Sequence, residues 1–295
     1  MAQIPKIARE RIANDMYEAA ILHEKKGKKS RNYLGMSEIG KPCGRALWYN
    51  FRGFDPLEIP GRILMLFRFG DRIEDEVIKY LNLAGYPVEG QQDGFVDLNG
   101  LFRGHCDGIV SNVTSRKHIL EVKSANTKKF KMFQSKGVKK TYPVYHYQAQ
   151  CYMGYSGLDR TLFVVQCKDT SEIYTERVYF YKSEFEMLKE RARTIIGANE
   201  PPAMINNDFE CRWCNQVLNC KHQERAIVSN HVCGTCYYLE FVPGLKPFCC
   251  HPHHHFGIKR WGVGCPDWIN MWEKEPIKIK KLKVEDRKTD ERFND

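Results

Sequence analysis

The sequence predicts an α/β fold: a mixed central sheet flanked by helices, followed by a small cysteine- and histidine-rich module. Three observations predict it. Short strand-like runs alternate with helical stretches from residue 63 to residue 196. The run His118-Ile119-Leu120 is mostly apolar and ends in Glu121-Val122-Lys123, as a central strand reaching a sheet edge does. The cysteines at 106, 151 and 167 sit singly inside these elements, whereas those after residue 210 are spaced in groups.

Residues 4–25 form an amphipathic helix on the spacing of Ile7, Ile12, Met16, Ala20 and Ile21. The basic run 25–31 ends it and reads as a solvated linker, with phosphate contact as the alternative. Ser37 is placed as the N-cap of a helix within residues 36–51. Residues 63–84 form the next helix, and of its consecutive Glu74, Asp75 and Glu76 only one or two can face one side. Short strands follow at 88–91 and 94–98, then at 102–110 and 117–122, with the turn formers Ser111, Asn112 and Ser115 between the last two. Residues 144–155 are helical and place Gln148 and Tyr152 four apart on one face. Residues 160–167 and 173–181 alternate like a hairpin that extends the sheet. Residues 183–196 make a helix capped by Ser183 with Glu186 three positions on.

The hairpin of 102–110 and 117–122 brings Asp107 beside Glu121 and Lys123, and the last two project from one strand face. Two carboxylates hold a hard divalent cation such as Mg²⁺ or Mn²⁺ through oxygen. A neighbouring lysine orients or deprotonates a water and stabilises developing negative charge. Together these groups suit metal-assisted phosphodiester hydrolysis. Residues 126–140 carry Lys128, Lys129, Lys131, Lys136, Lys139 and Lys140 among Phe130, Met132 and Phe133, with no acidic residue. Such a stretch reads as a phosphate-binding loop or helix.

Gly104-x-x-Asp107 followed by Glu121-Val122-Lys123 resembles the metal site of the PD-(D/E)XK nucleases. Gly70-x-x-x-Glu74 is similar to the motif before that core in RecB-type and lambda-exonuclease-type enzymes, with Glu where RecB-type members usually have His. Gln148-x-x-x-Tyr152 resembles the helical motif after it. The resemblance spans residues 36–220. It implies a restriction-endonuclease-like fold and a metal-dependent DNA nuclease of the exonuclease kind. It further implies Asp107, Glu121 and the Val122 carbonyl as ligands of Mg²⁺ or Mn²⁺ with help from Glu74, Lys123 acting on water, and Gln148 and Tyr152 positioning DNA. Residues 36–51 resemble a segment of iron–sulfur RecB-type nucleases in which a lone cysteine precedes Arg and aromatics, where Arg45 would contact a DNA phosphate or make a salt bridge. The partner implied is DNA, as single strands or duplex ends, with room for a recombination, replication or helicase partner. Two rivals are an RNA nuclease and a DNA-binding adaptor on a nuclease fold. The intact Asp107, Glu121 and Lys123 set argues against the adaptor.

Cys211-x2-Cys214-x5-Cys220 supplies three ligands where a zinc site or an iron–sulfur cluster takes four. The fourth is His222 nearby or Cys43 far upstream. The late spacing is similar to that of iron–sulfur RecB-type nucleases, including CRISPR-adaptation nucleases and the AddB subunit. That likeness implies Cys43 and a [4Fe–4S] cluster. Cys233, Cys236, Cys250 and Cys265 make a second set resembling a zinc ribbon, with Cys249 or His253 as substitutes for Cys250. Cys265-Pro-Asp-Trp268 also resembles small high-potential iron–sulfur proteins, which leaves a second cluster as the alternative to Zn²⁺.

The chain of 295 residues suits one large domain with an appendage. The expected division is 1–35, an N-terminal helix and linker; 36–222, the nuclease core; 223–272, the Cys/His-rich module; and 273–295, a charged mobile tail. Mean hydropathy is −0.53, and the longest apolar run, residues 63–67, is too short for a bilayer. The stretch MAQIPKIARERIAND lacks the apolar core of a signal peptide, so a cytoplasmic location without membrane contact is expected. A net charge of +10 favours a polyanionic partner. No Gly-x4-Gly-Lys-Ser/Thr motif is present, which leaves no evident motor in the chain.

Overall fold

The computed structural model describes residues 6–27, 33–221, 233–240, 248–249, 268–269 and 271. In chain order the helices are α1 (Lys6–Gly27), α2 (Gly44–Arg52), α3 (Gly61–Leu83), α4 (Thr127–Thr141), α5 (Pro143–Ser156), α6 (Lys182–Gly197), α7 (Asp208–Arg212) and α8 (Val217–Lys221). The strands are β1 (Leu34–Gly35), β2 (Val88–Glu89), β3 (Gly94–Asp97), β4 (Phe102–His105), β5 (Gly108–Val110), β6 (His118–Ala125), β7 (Arg160–Cys167), β8 (Ile173–Tyr179), β9 (Leu239–Glu240) and β10 (Phe248–Cys249). The chain forms two compact units from interleaved stretches. One comprises Met1–Lys29, Glu58–Phe95 and Gly104–Glu186; the other comprises Ser30–Leu57, Val96–Arg103 and Met187–Asp295. The α/β class is as the alternation predicts.

The first unit is built on a five-stranded sheet of order β2-β5-β6-β7-β8. β6 lies at its centre, antiparallel to β5 and parallel to β7. Parallel neighbours need a long crossover, and α4 with α5 provides it. α3 covers one face, laying Ile73, Val77 and Ile78 against Val110, Leu120, Val122 and Val164. On the other face Phe163 meets Phe133 of α4 at 6.1 Å and Tyr145 of α5 at 6.0 Å between ring centroids. Covering on both faces is why the first half of β6 must be apolar. α1 packs on α3, and the approach is so close at Gly61 that any Cβ there would strike the Tyr17 main chain.

Local chemistry explains the element ends. α4 begins at Asn126, whose side chain accepts from the Lys129 amide at 2.9 Å. Near its end α4 breaks at Gly137, where φ is 73°, a conformation that favours glycine. The Glu176 carboxylate accepts the freed Val138 amide at 2.7 Å.

Three expectations are corrected. The stretch 102–110 is not one strand. β4 joins a three-stranded sheet of order β1-β4-β3, β5 joins the five-stranded sheet, and Cys106 and Asp107 lie between them. Cys106 exchanges main-chain hydrogen bonds with Gln92 and Asp93, which draws the chain out of a single straight ladder. Ser37 caps no helix. It lies in a turn, and α2 starts only after Pro42, which disfavours helix before it. Ser183 sits inside α6, because the Tyr181 carbonyl already accepts from Glu184 and Phe185 at 3.0 and 3.1 Å.

In the second unit, β1 pairs in parallel with β4 through Leu34–Phe102 and Gly35–Arg103. Trp48 and Tyr49 of α2 pack on Phe54, with centroids 5.9 and 5.1 Å away. The Trp48 indole donates to the Ala198 carbonyl at 2.8 Å. The buried Arg52 guanidinium lies 5.1 Å from the Trp48 ring and donates to the Gly234 carbonyl, which fixes the turn that holds Cys233 and Cys236. Cys250, Cys265, His222, His253 and the expected tail at 273–295 lie outside the described residues. No helix among the described residues is long and apolar enough to cross a membrane.

Candidate active site

The site forms where β5 begins. Its first pairing with β6 is Gly108 to Leu120. One residue earlier the Asp107 carboxylate takes over the ladder's role and accepts from the Val122 amide at 2.7 Å. Asp107 is thereby fixed against the middle of β6, nearly buried. Glu121 pairs across the sheet with Phe163, on the α4–α5 side, and is fully buried. Lys123 follows on the same side and forms an ion pair with Glu121. Its ammonium also lies 5.2 Å from the centroid of the Tyr145 ring.

α3 brings the third carboxylate. Ile73 and Val77 anchor the helix to the sheet, which leaves Asp75 and Glu76 exposed and turns Glu74 inward, half-buried. Glu74 accepts from the Gln92 side chain at 3.0 Å. Burial and the nearby Asp107 push its carboxyl up to about 7. Burial raises Glu121 to about 8, with Asp107 adding to the rise and Lys123 opposing it. Asp107 is also raised, mainly by burial. Burial works against charge on Lys123, but Glu121 and Asp107 outweigh it and hold the ammonium protonated.

A hard cation fits this arrangement. Glu121 Oε2 is buried and makes no hydrogen bond, an unusual state for a carboxylate oxygen. Asp107 and Glu74 add oxygen donors, the ligand type such cations take. Among the described residues no group of three or more His, Cys, Asp or Glu side chains is arranged to hold a metal ion by itself. Main-chain carbonyl and water would complete the shell, as is usual for Mg²⁺.

Gln148 and Tyr152 are both buried. The Gln148 amide donates to the Tyr152 hydroxyl at 3.1 Å, and the Tyr152 ring lies 5.5 Å from Phe95. Burial, then the charge of Glu121, raises the Tyr152 phenol. The pair bonds to itself. The lysine-rich stretch is α4, on which Lys128, Lys131, Lys136 and Lys140 are exposed. Lys129 sits 5.0 Å from the Tyr142 ring centroid, and Lys139 pairs with Glu184 at 2.6 Å. Arg45, in the second unit, donates to the Pro202 carbonyl at 2.9 Å and lies 5.8 Å from the Tyr49 ring. Sequence reading missed Gln92 and Tyr145. Neither carries a motif, and both reach the site only through folding.

The four cysteines that the sequence links all lie in the second unit. Cys43 precedes the first turn of α2, Cys211 lies in α7, Cys214 in the following loop and Cys220 in α8. The loop is stitched to α2 and the chain after it. Gln216 donates to Asn50 at 2.7 Å and to the Phe54 carbonyl at 3.2 Å, while Asn219 donates to the Asp55 carbonyl at 2.8 Å. Burial raises the Cys214 thiol, the Gln216 amide opposes the rise, and the charges of Cys43, Cys220 and Cys211 add to it. Cys43, Cys211, Cys214 and Cys220 are free thiols.

No protein-family profile and no curated protein matches the chain. Among solved structures it is similar to SSO0001, with a TM-score of 0.46 and 14% identity over 71% of this chain and 96% of that one. It is similar to the alkaline exonuclease LHK-Exo from Laribacter hongkongensis, with a TM-score of 0.41 and 16% identity over 62% and 90% of the two chains. A phage-related exonuclease from Haemophilus somnus gives 0.34 and 20% identity over 42% and 66%.

The raised carboxyls set a pH dependence. Glu121 takes up protons more readily folded, at about 8, than at its ordinary 4.5, so ionising it costs stability as pH rises through that window. A cation that binds the ionised form offsets this cost. Millimolar Mg²⁺ or Mn²⁺ is therefore expected to raise Tm by several degrees at about pH 8.5 and by much less at about pH 6. Thermal unfolding at both pH values checks this, and an equal or absent shift at the two would count against a cation on Glu121.

Proposed function

We propose that the chain is a metal-dependent nuclease that hydrolyses phosphodiester bonds in DNA, working from ends as an exonuclease. The observation that carries this reading is the wholly buried Glu121, with one oxygen unpartnered, set between Asp107 and the ammonium of Lys123. Burying a carboxylate without full hydrogen bonding is costly, and such a cost is characteristic of sites that hold a cation or run proton chemistry. Asp107, Glu121 and the Val122 carbonyl would hold Mg²⁺ or Mn²⁺, with Glu74 turned toward the same place. Such a cation supplies Lewis-acid polarisation of the phosphodiester and a more acidic attacking water.

The chain's own residues do the rest. Lys123, kept charged by its carboxylate neighbours, donates to the attacking water or a non-bridging phosphate oxygen and balances the charge that builds there. Asp107 is oriented by the Val122 amide. Glu74, poised near neutrality, takes or shares the proton released from water. Gln148 and Tyr152 are buried, and their hydrogen bond to each other keeps the polar pair satisfied. Lys128 and Lys131, exposed on α4, supply phosphate contacts with Lys129 beside them.

In the second unit we assign Cys43, Cys211, Cys214 and Cys220 to one [4Fe–4S] cluster with a structural role. This reading is supported by four free thiols from one unit, three of which act electrostatically on Cys214. Hydrolysis transfers no electrons, so the cluster's part is to staple α2 to the segment of α7 and α8. Cys233 and Cys236, brought together by a tight turn, would open a second metal site that Cys250 and Cys265 complete, for which Zn²⁺ is the simplest occupant.

Asp107→Ala and Lys123→Ala are each expected to lower cleavage of linear DNA in Mg²⁺ or Mn²⁺ by at least about a thousandfold while DNA binding stays near wild type. Purified Lys123→Ala cutting at the wild-type rate would falsify the mechanism. Replacing Lys128, Lys129 and Lys131 together by Glu is expected to weaken binding and flatten its log–log salt dependence by about 0.9 for each phosphate no longer engaged. An unchanged slope in fluorescence anisotropy titrations would place the DNA elsewhere. Anaerobically purified protein is expected to carry about four iron atoms in the first cluster, with Cys43→Ala losing most of that iron and part of the thermal stability. Iron content indifferent to Cys43→Ala, or zinc in its place, would remove residue 43 from the ligand set.

A further inference from the structure

Tyr145 sits in the first turn of α5, and its ring centroid lies 5.2 Å from Lys123 Nζ. The ring is held in place by its neighbours, with Tyr142 at 4.2 Å and Phe163 at 6.0 Å between centroids. Tyr142 in turn carries Lys129 at 5.0 Å. The array Lys129–Tyr142–Tyr145–Lys123 therefore runs from the basic helix into the site. Lys123 needs such a guide, because an ammonium on a four-carbon stem is a compact charge with little directional preference. Glu121 attracts it, but a carboxylate shared with a divalent cation attracts an ammonium less strongly. The ring face then remains as the attraction with a fixed direction. It is stronger here than on a surface, since the Lys123 side chain is only 21% exposed.

We propose that Tyr145 is a positioning residue for Lys123, whose ring holds the ammonium by cation–π attraction where it meets the reacting phosphate and water. The role rests on the nuclease reading above. It belongs to the ring's electron-rich face, and the hydroxyl is not required.

The test replaces Tyr145 by Phe, and then by phenylalanines bearing one, two and three ring fluorines. These keep the ring's shape and weaken its quadrupole stepwise. Y145F is expected to retain most of the single-turnover cleavage rate. The rate should then fall with each fluorine to about tenfold below Y145F at three, with KM little changed, and Y145L should fall as far. A flat fluorine series, or a Y145F loss as large as that of Y145L, overturns the proposal. Should Y145L fail to fold, the fluorine series decides alone. A second readout needs no cleavage. In NMR of ¹³C-lysine-labelled protein, the Lys123 ε-methylene, assigned by its absence in K123A, is expected upfield through the ring current. The shift should persist in Y145F and vanish in Y145L. An unshifted wild-type resonance overturns the ring contact itself. Wild-type protein that shows the shift but cuts no DNA overturns the nuclease reading and, with it, the positioning role, while leaving the contact standing.

Discussion

A carboxylate with no exposure at all, Glu121, is the constraint to which the rest of the first unit answers. Burying an ion in a sheet interior is tolerable only with compensation. Lys123 gives part of it through the ion pair, and Asp107 takes part of it away by like-charge repulsion. The balance holds the Glu121 carboxyl above the usual carboxylate range, with one oxygen unused. That is a poor design for stability and a good one for capturing a cation. The surrounding structure is strong where the site is weak, with apolar side chains covering β6 on both faces.

The two faces of β6 divide the work. On one, Leu120 and Val122 anchor α3, and this contact aims Glu74 at the carboxylates. On the other, Glu121 and Lys123 share their side with Phe163, Tyr145 and the α4–α5 crossover. Because alternate residues of a strand face opposite ways, one eight-residue element carries both the core that fixes the helix and the charges that the helix serves. A shift of one residue in its pairing with β7 would exchange the two sets.

The second unit solves another problem. α7 and α8 are helices of only five residues each, too short to be stable alone. Side-chain hydrogen bonds from Gln216 and Asn219 tie them to α2 and the chain that follows it. The proposed cluster would lock the same junction covalently, at Cys43 and at the three later cysteines.

The alternation of apolar strands with amphipathic helices settled the α/β class from sequence alone, because period-two and period-3.6 patterns are local properties. Glu121 and Lys123 were legible for the same reason: they are two apart on a strand. Asp107 was placed beside them, although the strand expected to carry it is broken at that point. Cys106 pairs with the Gln92–Asp93 turn, a non-local contact that no local pattern encodes. Ser37 and Ser183 looked like caps because capping residues recur outside helix starts, and here Pro42 and the Tyr181 carbonyl decide the boundaries instead. Tertiary structure alone decided that Gln148 and Tyr152 bond each other in the interior, that Gln92 meets Glu74, and that Tyr145 stands beside Lys123. The last two are meetings between segments far apart in sequence. All three depend on how α3 and α5 pack on the sheet, which the periodicity of neither helix specifies.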